Sequence, residues 1–199
     1  MSNPAFRDAT REDHAEDLAL RLLVLRCQAG DEAAFAKLMA TFEARTSGYL
    51  RGIIGEGDDA DDVQQEVWLS VYRHLADLAD PGAFRTWLFR TTRHRAIDFL
   101  RKRKRDHELI DDVPVDQVAV PDANTEGEEY SAGLVDEKAL TAALMAMPPP
   151  QREVMLLRYR DGLSYQEIAQ VIARPIGTVR TRLHHARKRL QETLIGRAT

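Results

Sequence analysis

Apolar residues recur along most of this chain at spacings of three and four, which is the period of an amphipathic helix. The pattern runs from about Leu18 to Arg105 and again from about Gly133 to Leu194. No segment alternates apolar and polar residues convincingly with the period of two that strands require. We therefore expect an all-α protein with two helical units. In the second unit, prolines 148–150 should end one helix and open the next at Gln151.

The C-terminal part of the chain has the pattern of two short helices with a break between them. Ser164 and Glu167 form a Ser-x-x-Glu capping box, and Pro175 is poorly placed inside a continuous helix. The helix after the break has an apolar face made of Val179, Leu183, Ala186 and Leu190. Its other sides are polar or cationic. This layout predicts a helix-turn-helix whose second helix packs on its own domain and enters the major groove of DNA.

Residues 58–75 predict a helix that opens with aspartates, as the positive end of a helix dipole favours. Its expected buried stripe consists of Val63, Val67, Trp68, Val71, Tyr72 and Leu75. The opposite side carries Asp62, Gln65, Glu66, Leu69 and Arg73. Two interpretations of that side stay open. It is either a solvated face with one isolated exposed leucine, or a protein-docking face with Leu69 as the apolar anchor in a polar rim.

Residues 84–105 interleave aromatic side chains with arginines. From Arg85 to Arg105 there are nine lysines and arginines and one acid. Cations can follow a phosphate backbone, and aromatic rings can stack on unpaired bases. We favour a place in the core over base stacking for Phe84, Trp87 and Leu88. For the basic run 101–105, we favour contact with nucleic acid over a role in solubility alone.

The formal net charge of −4 conceals an uneven distribution of charge. Residues 106–130 carry nine acids and no lysine or arginine, together with prolines and glycine that disfavour a folded core. We therefore expect a flexible N-terminal segment over 1–17, a helical domain over 18–105, an acidic linker over 106–132 and a second helical domain over 133–199. Segregated charge of this kind is typical of surfaces with different partners.

The composition also narrows the class of protein. Cys27 is the only cysteine, so neither an intrachain disulfide nor a zinc site built on cysteines is expected. We find no signal-peptide core and no apolar window long enough to span a bilayer, and we expect a soluble cytoplasmic protein. A metal-dependent nuclease using Asp61, Asp62, Glu66 or Asp98 is disfavoured, because no histidine lies at ligand spacing from these acids. We expect no enzymatic activity, cofactor or metal ion.

Taken together, these segments resemble the extracytoplasmic-function (ECF) group of the sigma-70 family, the bacterial RNA polymerase initiation factors. The resemblance covers about Gly30 to Leu194. In the first domain it depends on residues 30–35, 59–66 and 84–88, and in the second on residues 149–154, 163–169 and 177–180. Each motif is moderately specific alone, and their order across an acidic linker is highly specific.

The resemblance implies partners and roles for particular residues. The first domain should dock on the clamp helices of the largest subunit of core RNA polymerase, through a set that we call the docking face: Asp61, Asp62, Gln65, Glu66 and Leu69. The helix over 87–105 should recognise and melt the −10 promoter element, through Trp87, Arg90, Arg93, His94, Arg101, Lys102 and Arg103. The second domain should read the −35 element, through Thr178, Arg180, Thr181, His184, His185, Arg187 and Lys188. The linker is similar to family linkers that thread through the RNA-exit path, and an anti-sigma factor is a candidate partner.

Two positions depart from the family's common pattern. His185 stands where relatives commonly carry arginine, and His94 stands where many carry asparagine. Arginine binds guanine with two donors in a fixed fork and histidine cannot, so the −35 preference is expected to differ. The alternative function is a helix-turn-helix regulator that is not a polymerase subunit. That alternative predicts self-association and tight binding to a palindrome without polymerase.

Overall fold

The computed structural model describes residues 4–108 and 137–195, with side chains described over 14–105 and 139–193. Every regular element in these ranges is helical, which confirms the expected all-α class. The elements are α1 (Pro4–Gln28), α2 (Glu32–Ile54), α3 (Asp58–His74), α4 (Phe84–Glu108), α5 (Glu137–Met145), α6 (Pro149–Met155), α7 (Tyr165–Ile172) and α8 (Ile176–Ile195). Two 3-10 turns, Leu75–Asp77 and Pro81–Ala83, connect α3 to α4, and a π-helical turn over Leu156–Arg160 extends α6.

Helices α1 to α4 form the first bundle, in which α2 packs against each of the other three helices. The chain turns between α1 and α2 at Gly30, whose φ of 86° favours glycine. Asp31 then caps α2, because its carboxylate accepts a hydrogen bond from the Ala34 N–H at 2.9 Å. The fully enclosed side chains of this bundle include Leu38, Phe42, Leu50, Val63, Val67, Phe84 and Leu88. This core holds α3 and α4 side by side.

Helices α5 to α8 form the second bundle. Helix α6 begins at Pro149 rather than at the predicted Gln151, because prolines fit the first two helical positions, where no intrahelical N–H bond is needed. The π-helical turn after α6 was not anticipated. It ends near Gly162, whose φ is 72°, and the chain then enters α7. Leu157, Leu163, Ile168 and Val179 are fully enclosed in this bundle.

The structure differs from the sequence-based expectation in two places, and a third expectation falls mostly outside the described residues. Helix α1 begins at Pro4, so most of the segment 1–17 expected to be flexible belongs to a helix. Tyr72, predicted in the buried stripe of α3, is 65% exposed, and that prediction is wrong. Its ring lies against the edge of Phe35 and leaves the core to Trp68 and Val71. The predicted linker 106–132 lies outside the described residues, except for 106–108, which form the last turn of α4.

The two bundles pack against each other instead of standing apart. Tyr49 of α2 and Phe89 of α4 belong to the same apolar cluster as the second bundle's core, and both are fully enclosed. Gly48 and Gly52 lie one turn apart on α2, where a side chain would collide with Arg160 and Leu156 respectively. We call this packing of α2 and α4 on α6, α7 and the π-helical turn the closed arrangement. It brings α4, which the sequence assigned to DNA, against α7 of the helix-turn-helix.

Candidate nucleic-acid interface

Helices α7 and α8 form the expected helix-turn-helix. The capping box is complete: the Ser164 hydroxyl accepts from the Glu167 N–H at 3.3 Å, and the Ser164 N–H donates to the Glu167 carboxylate at 2.8 Å. Ala173 ends α7 in the left-handed conformation with φ 52°, and α8 starts directly after Pro175. The apolar face of α8 behaves as predicted. Val179, Leu183 and Ala186 are fully enclosed, and Leu190 is half-buried against the same core.

The residues expected to read the −35 element lie outside the apolar face of α8, with different exposures. Arg180, His184 and Lys188 are exposed, whereas Thr178, Thr181, His185 and Arg187 are half-buried. The rings of His184 and His185 lie side by side, with centroids 5.7 Å apart. The Arg187 guanidinium donates to the Tyr165 hydroxyl at 3.3 Å, so its direction is set from α7. Burial lowers the pKa of Arg182, although the Glu153 carboxylate of α6 acts in the opposite direction.

Helix α4 presents two kinds of surface along its length. Its first turns are anchored by Phe84 and Leu88, both fully enclosed, which confirms the core interpretation for these two residues. Trp87 packs on the same core and stays half-buried, so part of its ring remains available. Among the residues expected at the −10 element, Arg90 and His94 are exposed, as is the whole basic run 101–105. Arg93 differs, because its side chain is only 21% exposed.

The docking face lies on the solvent side of α3. All five of its residues, Asp61, Asp62, Gln65, Glu66 and Leu69, are exposed. Leu69 is not an isolated apolar residue there. It is 54% exposed, and Tyr72, three positions further on the same helix, is 65% exposed. Two exposed apolar side chains beside a row of carboxylates fit a protein-docking surface better than a plain solvated face. The exposure of Tyr72 was not predicted from the sequence, because its spacing also fits the buried stripe of α3.

A buried polar network joins α2, α4 and α6. The Tyr49 hydroxyl donates to Glu153 Oε1 at 2.9 Å, and Arg93 Nε donates to the same oxygen at 2.8 Å. The Glu153 side chain is only 9% exposed, so this ion pair is largely shielded from water. Burial, together with the Glu153 carboxylate, raises the pKa of Tyr49 well above its ordinary value, which keeps the phenol protonated as a donor. Residues more than a hundred positions apart in sequence meet here, and no local pattern signals it.

A second polar contact joins α4 to α7. The Thr86 hydroxyl donates to Glu167 Oε1 at 3.1 Å, while Glu167 Oε2 accepts from the backbone and the hydroxyl of Ser164. Burial opposes ionisation of Glu167, but these hydrogen bonds outweigh it and hold its pKa below the ordinary value. The capping residue of the helix-turn-helix therefore also contacts the first bundle.

Asp161 is a buried carboxyl group without a hydrogen-bond partner on either oxygen. Its side chain lies at the end of the π-helical turn, and the residue is only 2% exposed. Burial raises its pKa to about 7, although Arg160, Arg45 and Arg85 act in the opposite direction. Arg45 and Arg85 belong to the first bundle, so Asp161 lies where the two bundles pack against each other. In the sequence this residue is one aspartate before a glycine, and nothing there indicates that it is buried.

Two kinds of feature are absent from residues 4–108 and 137–195. No helix in these ranges combines the length and apolar character needed to cross a bilayer. Histidine, cysteine and acidic side chains do not gather there in groups of three or more suited to a metal ion.

Both bundles match profiles of known protein families. A family profile described as "Sigma-70 region 2" matches residues 38–106, and one described as "Sigma-70, region 4" matches residues 137–190. The first range runs from α2 through nearly all of α4, and the second runs from α5 into the last turns of α8. The matched segments are therefore the ones that carry the docking face, the basic helix and the helix-turn-helix.

Individual proteins align over most of the chain. It is 32% identical to the RNA polymerase sigma-H factor of Pseudomonas aeruginosa, with 86% of this chain and 92% of that protein covered. It is 30% identical to the ECF RNA polymerase sigma-E factor of Escherichia coli K12, with 87% of this chain and 93% of that protein covered. A solved structure of sigma factor RpoE in complex with the anti-sigma factor NepR from Bartonella quintana superposes with a TM-score of 0.63, at 26% identity and coverage of 80% and 96%.

Proposed function

The chain belongs to the ECF group of the sigma-70 family, and from that premise we propose that it is a dissociable specificity subunit of bacterial RNA polymerase. In this role it binds core polymerase, reads the −35 and −10 promoter elements and promotes melting of the promoter DNA. It acts in the cytoplasm, where polymerase and promoter meet. Phosphodiester chemistry belongs to the polymerase, and this chain contributes binding and selection.

One observation carries the proposal: two cation-rich helices and an exposed carboxylate–leucine face occur in one chain. Helix α8 offers exposed Arg180 and Lys188 with its apolar side fully packed, which is the arrangement of a helix that reads base edges. Helix α4 offers an exposed basic run at one end and the half-buried Trp87 near the other. An ordinary DNA-binding regulator needs the first helix only. A subunit that also holds a melted strand needs both.

We assign a separate binding role to each domain. The domain over 18–105 docks on the clamp helices through Asp61, Asp62, Gln65, Glu66 and Leu69, and it holds the −10 element along α4. The domain over 133–199 reads the −35 element with the outer side of α8. Neither contact has to be tight alone, because binding of one element raises the effective concentration of the other domain at its site. The anti-sigma complexes of structural relatives make an anti-sigma protein a candidate partner of this chain as well.

The experiment that tests this function is in vitro transcription with purified core polymerase on a library of bacterial genomic DNA. We expect start sites that depend on the added chain and share two sequence elements upstream. If the chain instead bound a palindrome tightly as a dimer and directed no initiation, the alternative of a regulator outside the polymerase would replace the proposal.

The docking face is tested by Leu69→Ala, with Leu22→Ala as a matched control. Both leucines are 54% exposed, so truncation should disturb the fold equally little. We expect Leu69→Ala to weaken binding to core polymerase by roughly tenfold, as loss of a central apolar anchor commonly does. Leu22→Ala should leave the affinity unchanged. Equal affinities for both variants, measured by fluorescence anisotropy of the labelled chain, would show that the docking face is elsewhere.

A further inference from the structure

Arg187 leaves α8 at the margin of the apolar face, so α8 alone does not fix the direction of its side chain. It follows the fully enclosed Leu183 by four positions and stands next to the fully enclosed Ala186. Residues four positions apart lie on the same side of a helix, which explains why Arg187 is half-buried. His184 and Lys188 are exposed instead and form the outer side of α8. An arginine at the margin can lie along its own domain or extend toward DNA, and a contact from outside α8 is needed to select one direction.

That contact comes from Tyr165, the first residue of α7. Arg187 Nη2 donates a hydrogen bond to the Tyr165 hydroxyl oxygen at 3.3 Å. Arg187 Nε is enclosed and has no hydrogen-bond partner within the described part of the chain. A guanidinium carries five N–H donors, so its terminal nitrogens keep donors for a further acceptor after Tyr165 has taken one. The side chain is therefore held in one direction and can still bind an anion.

Tyr165 is itself fixed by its neighbours. Its ring packs against the core of the second bundle, and the Arg158 guanidinium lies over the ring, 5.4 Å from its centroid. Arg158 is anchored in turn, because its Nη1 donates to the backbone oxygen of Leu163 at 3.1 Å. Tyr165 also directly follows Ser164, whose capping box sets the first turn of α7. The Tyr165 hydroxyl is therefore an acceptor in a defined place.

We propose that Tyr165 is a positioning residue for promoter binding: its hydroxyl directs Arg187 to a phosphate of the −35 element. This inference rests on the proposed function, which assigns α8 to that element. A phosphate is favoured over a base because Arg187 leaves α8 at the margin, whereas the exposed His184 and Lys188 occupy the outer side. Hydrogen bonds between arginine and phosphate depend on direction, and a side chain that is already ordered loses less freedom on binding.

Two variants test the two ends of this contact. Tyr165→Phe removes only the hydroxyl, and Arg187→Gln removes the charge. Holoenzyme assembled from the full chain and saturating core polymerase is titrated onto a fluorescent promoter duplex, and anisotropy gives the affinity at several salt concentrations. The duplex is taken from a start site that depends on the chain.

We expect Tyr165→Phe to weaken promoter binding by roughly two- to tenfold, which is the effect of having to order one rotamer-rich side chain at an interface. Arg187→Gln should lower the slope of log K against log salt by about one, because one phosphate contact is lost. Tyr165→Phe should change the slope in the same direction. Both losses should be equal across duplexes with different −35 sequences, because a phosphate contact carries no base preference.

The double variant decides whether Tyr165 acts through Arg187. In the Arg187→Gln chain, Tyr165→Phe should cause no further loss of affinity, because the hydroxyl has no guanidinium left to direct. Additive losses would overturn the inference, since Tyr165 would then contact DNA by itself. Unchanged affinity in Tyr165→Phe or in Arg187→Gln would overturn it as well.

The matched control is Tyr159→Phe, which makes the same chemical change at a tyrosine of the π-helical turn that is 58% exposed. Its affinity and salt slope should equal those of the natural chain. Urea denaturation of each variant reports the fold separately. A lower unfolding free energy for Tyr165→Phe with an unchanged salt slope would overturn the inference, because the hydroxyl would then serve the fold alone. Failure of the proposed function is recognised differently: the natural chain itself would form no holoenzyme that binds a promoter.

Discussion

The buried carboxyl group of Asp161 provides a sharp test of the packing between the two bundles. The perturbation is Asp161→Asn, which replaces a titrating group by a neutral one of nearly the same shape. Asp161 is 2% exposed, and its pKa is raised from the ordinary 3.8 to about 7. The charged groups that face it are Arg160 beside it, Arg45 from α2 and Arg85 from α4, and Tyr49 lies close enough to respond to its charge.

Proton linkage gives the direction in which the unfolding free energy changes with pH. The folded chain keeps a proton on Asp161 that the unfolded chain releases, so this group's stabilisation is complete below about pH 4 and is lost as the pH rises through 7. A difference of about three pKa units corresponds to about 4 kcal/mol over the whole range. Between pH 5 and pH 8 the loss is about 2–3 kcal/mol. Asparagine does not titrate, so the variant should gain this amount relative to the natural chain over the same interval.

The assay is urea denaturation of both chains at several pH values between 5 and 8. The quantity of interest is the difference in unfolding free energy between variant and natural chain. That difference removes the opposing contribution of other carboxyl groups, such as those of Asp31 and Glu167, whose pKa values are lowered. Asp77→Asn, at an exposed carboxyl group, serves as the control and should give a flat difference. A flat difference for Asp161→Asn as well would refute the reasoning, since the carboxyl group would then be hydrated in solution.

Two further predictions concern the DNA-facing helices. His185→Arg should shift the preferred −35 sequence toward guanine in a promoter-library selection, because arginine can bind guanine with two donors, whereas Gln191→Arg, nearer the end of α8, should not. An unaltered preference would mean that residue 185 does not reach a base. Replacing Lys102 and Arg103 by glutamine should reduce the slope of log K against log salt for holoenzyme–promoter binding by about two. Lys37→Gln on α2 should leave that slope unchanged, and an equal slope for all three chains would assign the basic run to solubility.

Much of the local structure could be predicted from residues that lie close together in the sequence. The capping box at Ser164, the break at Pro175 and the apolar face of α8 each involve positions no more than about three helical turns apart. Such features depend on helix geometry and on hydrogen bonds at helix ends, which adjacent residues determine alone. Helical spacing also predicted that Asp62, Gln65, Glu66 and Leu69 lie opposite the buried stripe of α3, and all four are exposed.

Tertiary structure decided which of several possible faces each helix buries. Tyr72 satisfies the helical spacing of the α3 stripe, but Trp68 and Val71 fill the space beneath and Tyr72 is left outside against Phe35. Helical periodicity identifies a stripe about a hundred degrees wide, and residues at its margins can lie on either side. Whether such a marginal residue is buried depends on the shape of the side chains that pack around it.

Local patterns in the sequence predicted most of the helices, the capping box at Ser164 and the segregation of charge, and its motifs indicated the family. It did not predict the ion pair between Arg93 and Glu153, the close approach of the second bundle at Gly48 and Gly52, or the burial of Asp161. The physical reason is that the energies of ion pairs and buried carboxyl groups depend on distance and solvation in space. Distance and solvation between residues far apart in the chain are set by how whole helices pack, and no spacing rule along one helix contains that information.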